Sequence, residues 1–563
     1  MRGRLIVWLV LLACGNPGPP EPPETVVVQA QDATLTLVPG AACAAGTPPP
    51  GRFTEYREAW GVDFVYSDHF TDSGQEFWKD LGGVAVADLD GDRALDLYLA
   101  NYGDADAVYV TGGRGAASFQ RMDRVASTGV PRSGVVSLAD LDGDGALDAL
   151  LGGNELSTGW ARGLGTGAFA DPVPLPQGAG FDALPVAHGF ATGDVDGDGW
   201  LDVCTAVHDE FRDGENWPGR EWFSRNAGGV LEADDDRIPP TRVEDMTFVC
   251  SLLDLDDDGD LDVLETNDAW SLAGLGLDRT DTEVQGNRVF RNDGGLFTDA
   301  SAGSGANIEI SSMGLAAGDY DNDGDLDLYV TSMPPLPSAL LRNDGALRFS
   351  DVTYDAEADT LFPEHDVGWG AVFVDADADG WQDLFVVHGY HTSGDGEGLG
   401  PAIVNANHQA DVLLRNLGDG RFESLEAAAS GVDGKGWGRS VAVGDLNRDG
   451  FPDVVVTNAD GRPDVWRNGC DARPWLTVSL EGPAPNTHGV GARVRVRSAD
   501  RIQTRWILGG GDGLYGMSAP EAYFGFPDGT EQVDLQVRWP DGGVTQATVP
   551  ARRHVVLTRR PPA

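Results

Sequence analysis

The chain is short of positive charge. Of 563 residues, 39 are Lys or Arg against 90 Asp or Glu, a formal net charge of −51. Such a balance disfavours nucleic acid and anionic lipid headgroups as partners. Long apolar runs are missing too: the stretch Leu5–Leu12 near the N-terminus is too short to span a bilayer. Recognisable catalytic motifs are absent. There is no H-E-x-x-H and no G-x-S-x-G, and the Gly-rich Gly509–Gly513 lacks the Lys-Ser/Thr of a phosphate-binding loop. Cysteine is scarce, at five residues. Core-forming residues are not scarce: 41% of the chain is hydrophobic, and the acid is interleaved with apolar runs, so disorder is not indicated.

What is abundant is one acidic nonapeptide, D-x-D-x-D-G-x-x-D, present seven times. The candidate ligands are Asp88, Asp90, Asp92 and Asp96; Asp140, Asp142, Asp144 and Asp148; Asp194, Asp196, Asp198 and Asp202; Asp254, Asp256, Asp258 and Asp262; Asp319, Asp321, Asp323 and Asp327; Asp375, Asp377, Asp379 and Asp383; and Asp445, Asn447, Asp449 and Asp453. Carboxylates so close raise one another's pKa and repel unless a cation sits between them. Calcium, with six to eight oxygen ligands, suits flexible carboxylates better than magnesium does. Glycine at position 6 permits a left-handed turn. An EF-hand needs a Glu at position 12 and flanking helices; only Glu265 complies, and the flanks (VAVADLD, LDLYLAN, DVVVTN) read as strands. Arg93 replaces the turn glycine in the first loop and Asn447 a carboxylate in the seventh, so these two are expected to bind most weakly, with the Arg93 cation beside the ligands.

Each unit continues past its loop with a strand, a variable loop, a strand ending in Arg-Asn, a tight Asn-x-Gly turn and a strand opening with Phe (RVFRNDGGLFTD, ALLRNDGALRFSD, VLLRNLGDGRFES). Four antiparallel strands per unit and seven units predict an all-β fold, a seven-bladed β-propeller with calcium-binding loops over 51–470. The seventh unit lacks its Phe-led strand, and Phe53-Thr54-Glu55-Tyr56 is expected to supply it and close the ring. Cys43 and Cys470 then fall near the seam, where a disulfide would lock it. Cys204 and Cys250 are read either as a second pair or as buried thiols.

Arg2 and Arg4 followed by Leu5–Leu12 resemble an export signal. Leu11-Leu12-Ala13-Cys14 resembles a bacterial lipoprotein processing box, which implies a 1–14 signal, lipidation of Cys14 and a Pro-rich tether over 15–50. The chain is thus expected to be exported and held by a lipid anchor at a bacterial membrane or cell surface, otherwise secreted.

From about Trp475 alternation takes over (LTVSL, ARVRVRS, VDLQVRW, HVVLTRR), predicting a small β-sandwich-like domain over 471–563. Gly489–Val494, the Gly-rich Gly509–Tyr515, Tyr523–Phe526 and Val537–Gly542, together with the repeats and the AWGVDFVYSD segment, resemble FG-GAP/VCBS propeller proteins of the ASPIC/UnbV, or cartilage-acidic-protein-like, family. One departure is Phe526, where the family turns through Leu-Gly. The resemblance implies calcium sites that hold blades in shape, an extracellular or surface location and partner binding, and no established reaction.

With the metal loops on one rim, candidate ligand contacts lie on the other: His208, His388, His391, Trp369 and Trp437, and the long loop from His388 to Gln409. The reading favoured is a monomeric calcium-binding surface module that recognises a protein or a glycan in the manner of an adhesion protein, without nucleic acid. The alternative is a polysaccharide hydrolase or lyase using His208, His388 and His391 as acid/base groups.

Overall fold

A computed structural model describes residues 26–560 apart from 30–31, 45, 67–81, 102–104, 114–117, 123–132, 154–157, 177–186, 208–209, 213–214, 218–221, 235–236, 239–246, 269–285, 334–335, 360–365, 390–408, 435, 460 and 500. Seven of its antiparallel sheets are propeller blades. Blade 1 holds Val84–Ala87, Asp96–Leu99, Ala107–Thr111 and Phe119–Arg121. Blade 2 holds Val135–Ala139, Asp148–Gly152, Gly159–Ala161 and Val173–Pro174; blade 3 holds Ala187–Gly193, Asp202–Val207, Trp222–Asn226 and Leu231–Ala233. Thr247–Leu253 to Phe297–Asp299 make blade 4, Ser312–Gly318 to Phe349–Asp351 blade 5, and Gly368–Val374 to Phe422–Leu425 blade 6.

The first strand of each blade is innermost and packs against its neighbours in the ring. It therefore loses both faces to the core, which is why these strands read as apolar runs (VAVA, VVSLA, TFVCSLL) rather than alternating ones. Every residue of those three strands is buried. Blade 7 takes Gly438–Gly444, Asp453–Asn458 and Asp464–Arg467 from the C-terminal end and Thr54–Glu55 from the N-terminal end, with Thr54 opposite Arg467 and Glu55 opposite Trp466. The ring closes as the Phe-led pattern predicts. Beyond that strand the chain runs along the seam with Trp60, Val62, Phe64 and Tyr66 buried, the alternation of AWGVDFVY turned inward.

The C-terminal part is a two-sheet sandwich. One sheet orders Gln532–Arg538 between Arg493–Ser498, which Arg501–Trp506 flanks, and Val544–Pro550. The other contains Trp475–Glu481, Glu521–Gly525 and Arg553–Arg559, and here the tether expectation is corrected. Ala33–Pro39 pairs along its whole length with Arg553–Arg559, and Val26–Gln29 adds an outer strand. Ala33, Leu35 and Leu37 are 0%, 1% and 4% exposed in the sandwich core. ATLTLVP alternates as a half-buried strand should; its Pro-rich neighbours concealed the signal. The sandwich is thus built from both ends of the chain.

Its most consequential element is the segment 509–519, which enters the channel of the propeller. Gly509 and Gly510 pair with Thr192 and Ala191 of blade 3. The Ser251 hydroxyl of blade 4 donates to the Gly511 carbonyl. Gly513 exchanges backbone hydrogen bonds with Leu315 of blade 5 (2.7 and 3.0 Å), and the Val136 N–H of blade 2 donates to the Tyr515 carbonyl (3.0 Å). Met517 bonds Val84 and Val86 of blade 1, and the Ala519 N–H donates to Val443 of blade 7 at 2.9 Å. Glycine is required here. A Cβ on Gly516 would lie 1.9 Å from the Val84 carbonyl oxygen, and one on Gly511 2.8 Å from that of Cys250. Disulfides join Cys43 to Cys470 at the junction of propeller and sandwich, and Cys204 of blade 3 to Cys250 of blade 4. Among the described residues no helix is long and apolar enough to cross a membrane.

Candidate metal centre

All seven nonapeptides link the first and second strands of their blades, on one face of the ring. Their backbones are held by their own carboxylates. The position 6 N–H donates to the position 1 carboxylate, as from Gly145 to Asp140 (2.9 Å), Gly199 to Asp194 (2.9 Å) and Gly450 to Asp445 (2.8 Å). Position 9 closes the loop. Asp96 accepts from Leu89 (2.9 Å) and Thr111 (2.8 Å), and Asp262 from Leu255 (3.1 Å) and Asn292 (2.8 Å). Position 4 adopts a left-handed backbone as position 6 does, even where it is not glycine: Asp257, Asn322, Ala378 and Arg448 have φ of 61°, 57°, 55° and 58°.

Three carboxylates in each of the first five loops bring one oxygen apiece within 4.8 Å of the others. Burial pushes Asp96, Asp148, Asp202, Asp319 and Asp375 up to about 7 and Asp262 to about 8, with neighbouring carboxylates adding to the rise at each. A cation among carboxyl groups so desolvated and crowded would relieve both effects. Asp194 Oδ1, Asp256 Oδ1, Asp319 Oδ2 and Asp377 Oδ1 are buried acceptors without a hydrogen-bond donor. The donor set is all oxygen, flexible and anionic, which fits calcium.

Arg93 is placed differently from the expectation. Its backbone takes the turn (φ 68°) and its N–H donates to Asp88 Oδ2 at 2.7 Å, but its guanidinium leaves the ligands and pairs with Glu481 Oε1 of the sandwich at 2.8 Å.

That pair is one of a series, for the sandwich sits on the loop face and meets every loop. Thr487 Oγ1 donates to Asp140 Oδ2 of the second loop (2.5 Å), and Pro485 packs over Gly143 and Gly199 of the second and third. Arg493 holds Asp257 of the fourth loop and the Gly324 carbonyl of the fifth (2.6 Å). The Gly525 N–H donates to Asp375 Oδ2 of the sixth (2.8 Å), and Arg501 Nη1 to the Asp379 carbonyl (2.8 Å). Arg448 of the seventh loop pairs with Glu521 at 2.6 Å.

Glu521 also gathers Ser479 (2.7 Å) and Tyr523 (2.9 Å), and Ser479 Oγ lies 2.6 Å from His554 Nε2. This is not a nucleophile triad. Serine and carboxylate share one ring nitrogen, with Glu521 Oε1 3.5 Å from Nε2, instead of flanking the imidazole. Burial opposes ionisation of Glu521, but Arg448 and His554 outweigh it and hold the carboxyl down at about 2.

The candidates for the opposite face divide. His208, His391 and nearly all of the loop from His388 to Gln409 lie outside the described residues, as does Cys14. His388 is not an exposed acid or base. It is 1% exposed, its Nδ1 is 3.0 Å from the Ala410 carbonyl, and burial pushes its imidazole down to about 4. Trp369 is likewise interior: its Nε1 donates to the Gly389 carbonyl (2.9 Å) and the Arg439 guanidinium stacks 4.0 Å from its ring. The structure brings these two together on adjacent strands of blade 6, where Gly368 pairs with His388. Trp437 is half-buried ahead of the inner strand of blade 7.

One functional set escaped the sequence reading. The Asn of each Arg-Asn dipeptide links neighbouring blades. Asn292 Nδ2 donates to the Val195 carbonyl of blade 3 (2.9 Å) and the Leu261 carbonyl of its own loop (3.0 Å), while its Oδ1 accepts from Gly295 (2.7 Å). Asn226, Asn343, Asn416 and Asn468 make the same link to the preceding blade. In blade 7 the turn N–H comes from Gly51 of the N-terminal segment at 3.0 Å. The recurrence of Asn at one register was the available signal.

The family described as FG-GAP-like repeat matches residues 88–151, 254–330 and 401–456, and the family described as ASPIC and UnbV matches residues 482–562. Neither is recognisably catalytic. No curated protein matches the chain. Among solved structures, BBS1N in complex with ARL6DN, soaked with mercury, is 10% identical, with 75% of this chain and 98% of that one covered and a TM-score of 0.42. The extracellular domain of the putative one component system BT4673 from B. thetaiotaomicron is 7% identical, with coverage of 95% and 61% and a TM-score of 0.40. Sqt1 of Saccharomyces cerevisiae is 9% identical, with coverage of 70% and 97% and a TM-score of 0.34. The three repeat matches, each running from one blade into the next, the loop geometry common to all seven blades and the matched C-terminal sandwich make this chain an FG-GAP repeat protein with a C-terminal ASPIC/UnbV domain.

Proposed function

We propose that the chain is an exported, calcium-stabilised interaction module, monomeric, anchored through a lipid on Cys14 or else secreted, that binds a protein or a glycan in an adhesion-type role. The observation that carries the calcium part is the set of buried carboxylate oxygens without donors, Asp256 Oδ1, Asp319 Oδ2 and Asp377 Oδ1, at positions 1 or 3 of their loops. Two disulfides support an oxidising compartment, where calcium is abundant enough for modest sites. The partner surface in this reading is the face opposite the loops, because the sandwich covers the loop face and 509–519 fills the channel. A hydrolase or lyase built on His388 gains no support from a histidine that is 1% exposed.

Thermal unfolding with calcium and with chelator tests the metal: the midpoint should fall on chelation, and an unchanged midpoint overturns the calcium reading. Binding of the calcium-loaded protein to arrays of glycans and surface proteins tests the partner class. Signals that survive mutation of opposite-face residues but vanish when the sandwich surface is altered would move the partner to the other side.

A further inference from the structure

We propose that two of the seven loops hold a guanidinium in place of the ion, Arg237 in the third and Arg467 in the seventh, so that the loaded propeller carries five calcium ions. The inference rests on the calcium reading above. In each loop one carboxylate oxygen is taken by backbone. Asp196 Oδ1 accepts from Asp198 (3.3 Å), and Asp449 Oδ1 from Phe451 (3.2 Å). The second oxygens remain for a cation, and these are the ones the arginines reach. Arg237, 8% exposed, places Nη2 3.1 Å from Asp196 Oδ2 and Nη1 3.6 Å from Asp202 Oδ2, the partners at positions 3 and 9. Its Nε is fixed by Asp234 at 2.7 Å. Arg467 places Nη2 3.4 Å from Asp449 Oδ2 and is held from behind by the Tyr56 hydroxyl at 3.2 Å. A divalent ion a few ångströms from a fixed guanidinium is repelled by it.

Unmatched polar atoms separate the third and seventh loops from the fourth, fifth and sixth, while the first and second loops contain none. The fourth, fifth and sixth contain buried carboxylate acceptors without donors, a demand for a cation. In the third, the unmatched acceptor Asp194 Oδ1 is accompanied by an unmatched donor, Arg237 Nη1. In the seventh the unmatched atoms are donors, Asn447 Nδ2 and Arg467 Nε. Asn447 Oδ1 accepts from the Asp449 N–H at 2.8 Å, so the amide offers hydrogen where other loops offer a second oxygen. Elsewhere the corresponding arginines turn away: Arg291 to Asp293 (2.6 Å), Arg342 to Asp344 (2.7 Å) and Arg415 to Glu423. Arg162 does reach Asp142 and Asp144 of the second loop (2.8 and 2.7 Å), but its side chain is 51% exposed and swings into water when an ion arrives.

Counting bound calcium on the full chain by native mass spectrometry and elemental analysis tests this. The wild type should hold five ions. Arg237→Gln should hold one more than wild type with an unchanged circular dichroism spectrum, and the double variant Asn447→Asp/Arg467→Gln should likewise gain one. Six or seven ions on the wild type, or no gain in a folded variant, overturns the proposal while leaving the calcium reading standing. No bound calcium at all overturns both.

Discussion

A single buried amide at the end of the third strand ties one blade to the next. Asn343 donates to the Leu255 carbonyl of the preceding blade (2.9 Å) and to Leu326 of its own loop (3.2 Å), and is buried at 2% exposure. Removing it strands two buried carbonyls and the Gly345 N–H, at a cost of about 2–4 kcal/mol. Asn343→Ala should therefore lower the urea midpoint clearly, while Arg342→Ala, the exposed neighbour, should shift stability by no more than about 0.5 kcal/mol. The dipeptide was visible in the sequence, but the reach of its asparagine was not, because the partner carbonyl lies 88 residues away. His388 carries a second consequence at this scale. Its folded pKa, about 4, lies below the unfolded value of 6.5, so the unfolded chain takes the proton first. Stability is intact above 6.5 and is lost as pH falls toward 4, by about 2 kcal/mol between pH 7 and 5. Comparing urea midpoints at those two pH values in wild type and His388→Gln checks this: the variant should lose less, and an equal loss would assign the acid sensitivity to other groups.

Among the elements, the metal loops, the flanking strands and the missing strand of blade 7 were legible because each repeats or is conspicuously absent from a repeat. Two elements were not. Ala33–Pro39 alternates as a strand, yet its partner is Arg553–Arg559 at the other end of the chain, and nothing local announces that. The glycines of 509–516 were visible as a phosphate loop that failed and as a motif of the ASPIC/UnbV resemblance, but not as an insertion into the ring. Their reason is a channel lined by backbone, a tertiary constraint without sequence period. Gly511 has φ of 76° and no room for a Cβ beside Cys250 and Ser251. Gly511→Ala should cost about 1–3 kcal/mol and expose 509–519 to hydrogen exchange, whereas Gly529→Ala, at φ 86° with open space around it, should leave the channel segment protected.

At the scale of the molecule, the loops proposed to hold calcium and the sandwich share one surface. The sandwich grips carbonyls that the loops present, such as Gly324 and Asp379, and an ion bound as proposed would hold the loop backbone that carries them. Seating and calcium affinity then favour each other by the same factor. Chelation should loosen 509–519 in hydrogen-exchange mass spectrometry before the blades themselves exchange, and Arg493→Ala should weaken calcium binding although it touches no expected ligand oxygen. Exchange that begins in the blades while 509–519 stays protected would separate the two equilibria.

The strand formed by Ala33–Pro39 has a consequence for the order in which the protein can be made. It is made before every blade and pairs with Arg553–Arg559, which follows them all. The sandwich stays incomplete until Arg553–Arg559 has been made, and the contacts that close it join segments separated by the whole propeller, a slow kind to find. Until then Ala33–Pro39 must be kept from wrong pairings.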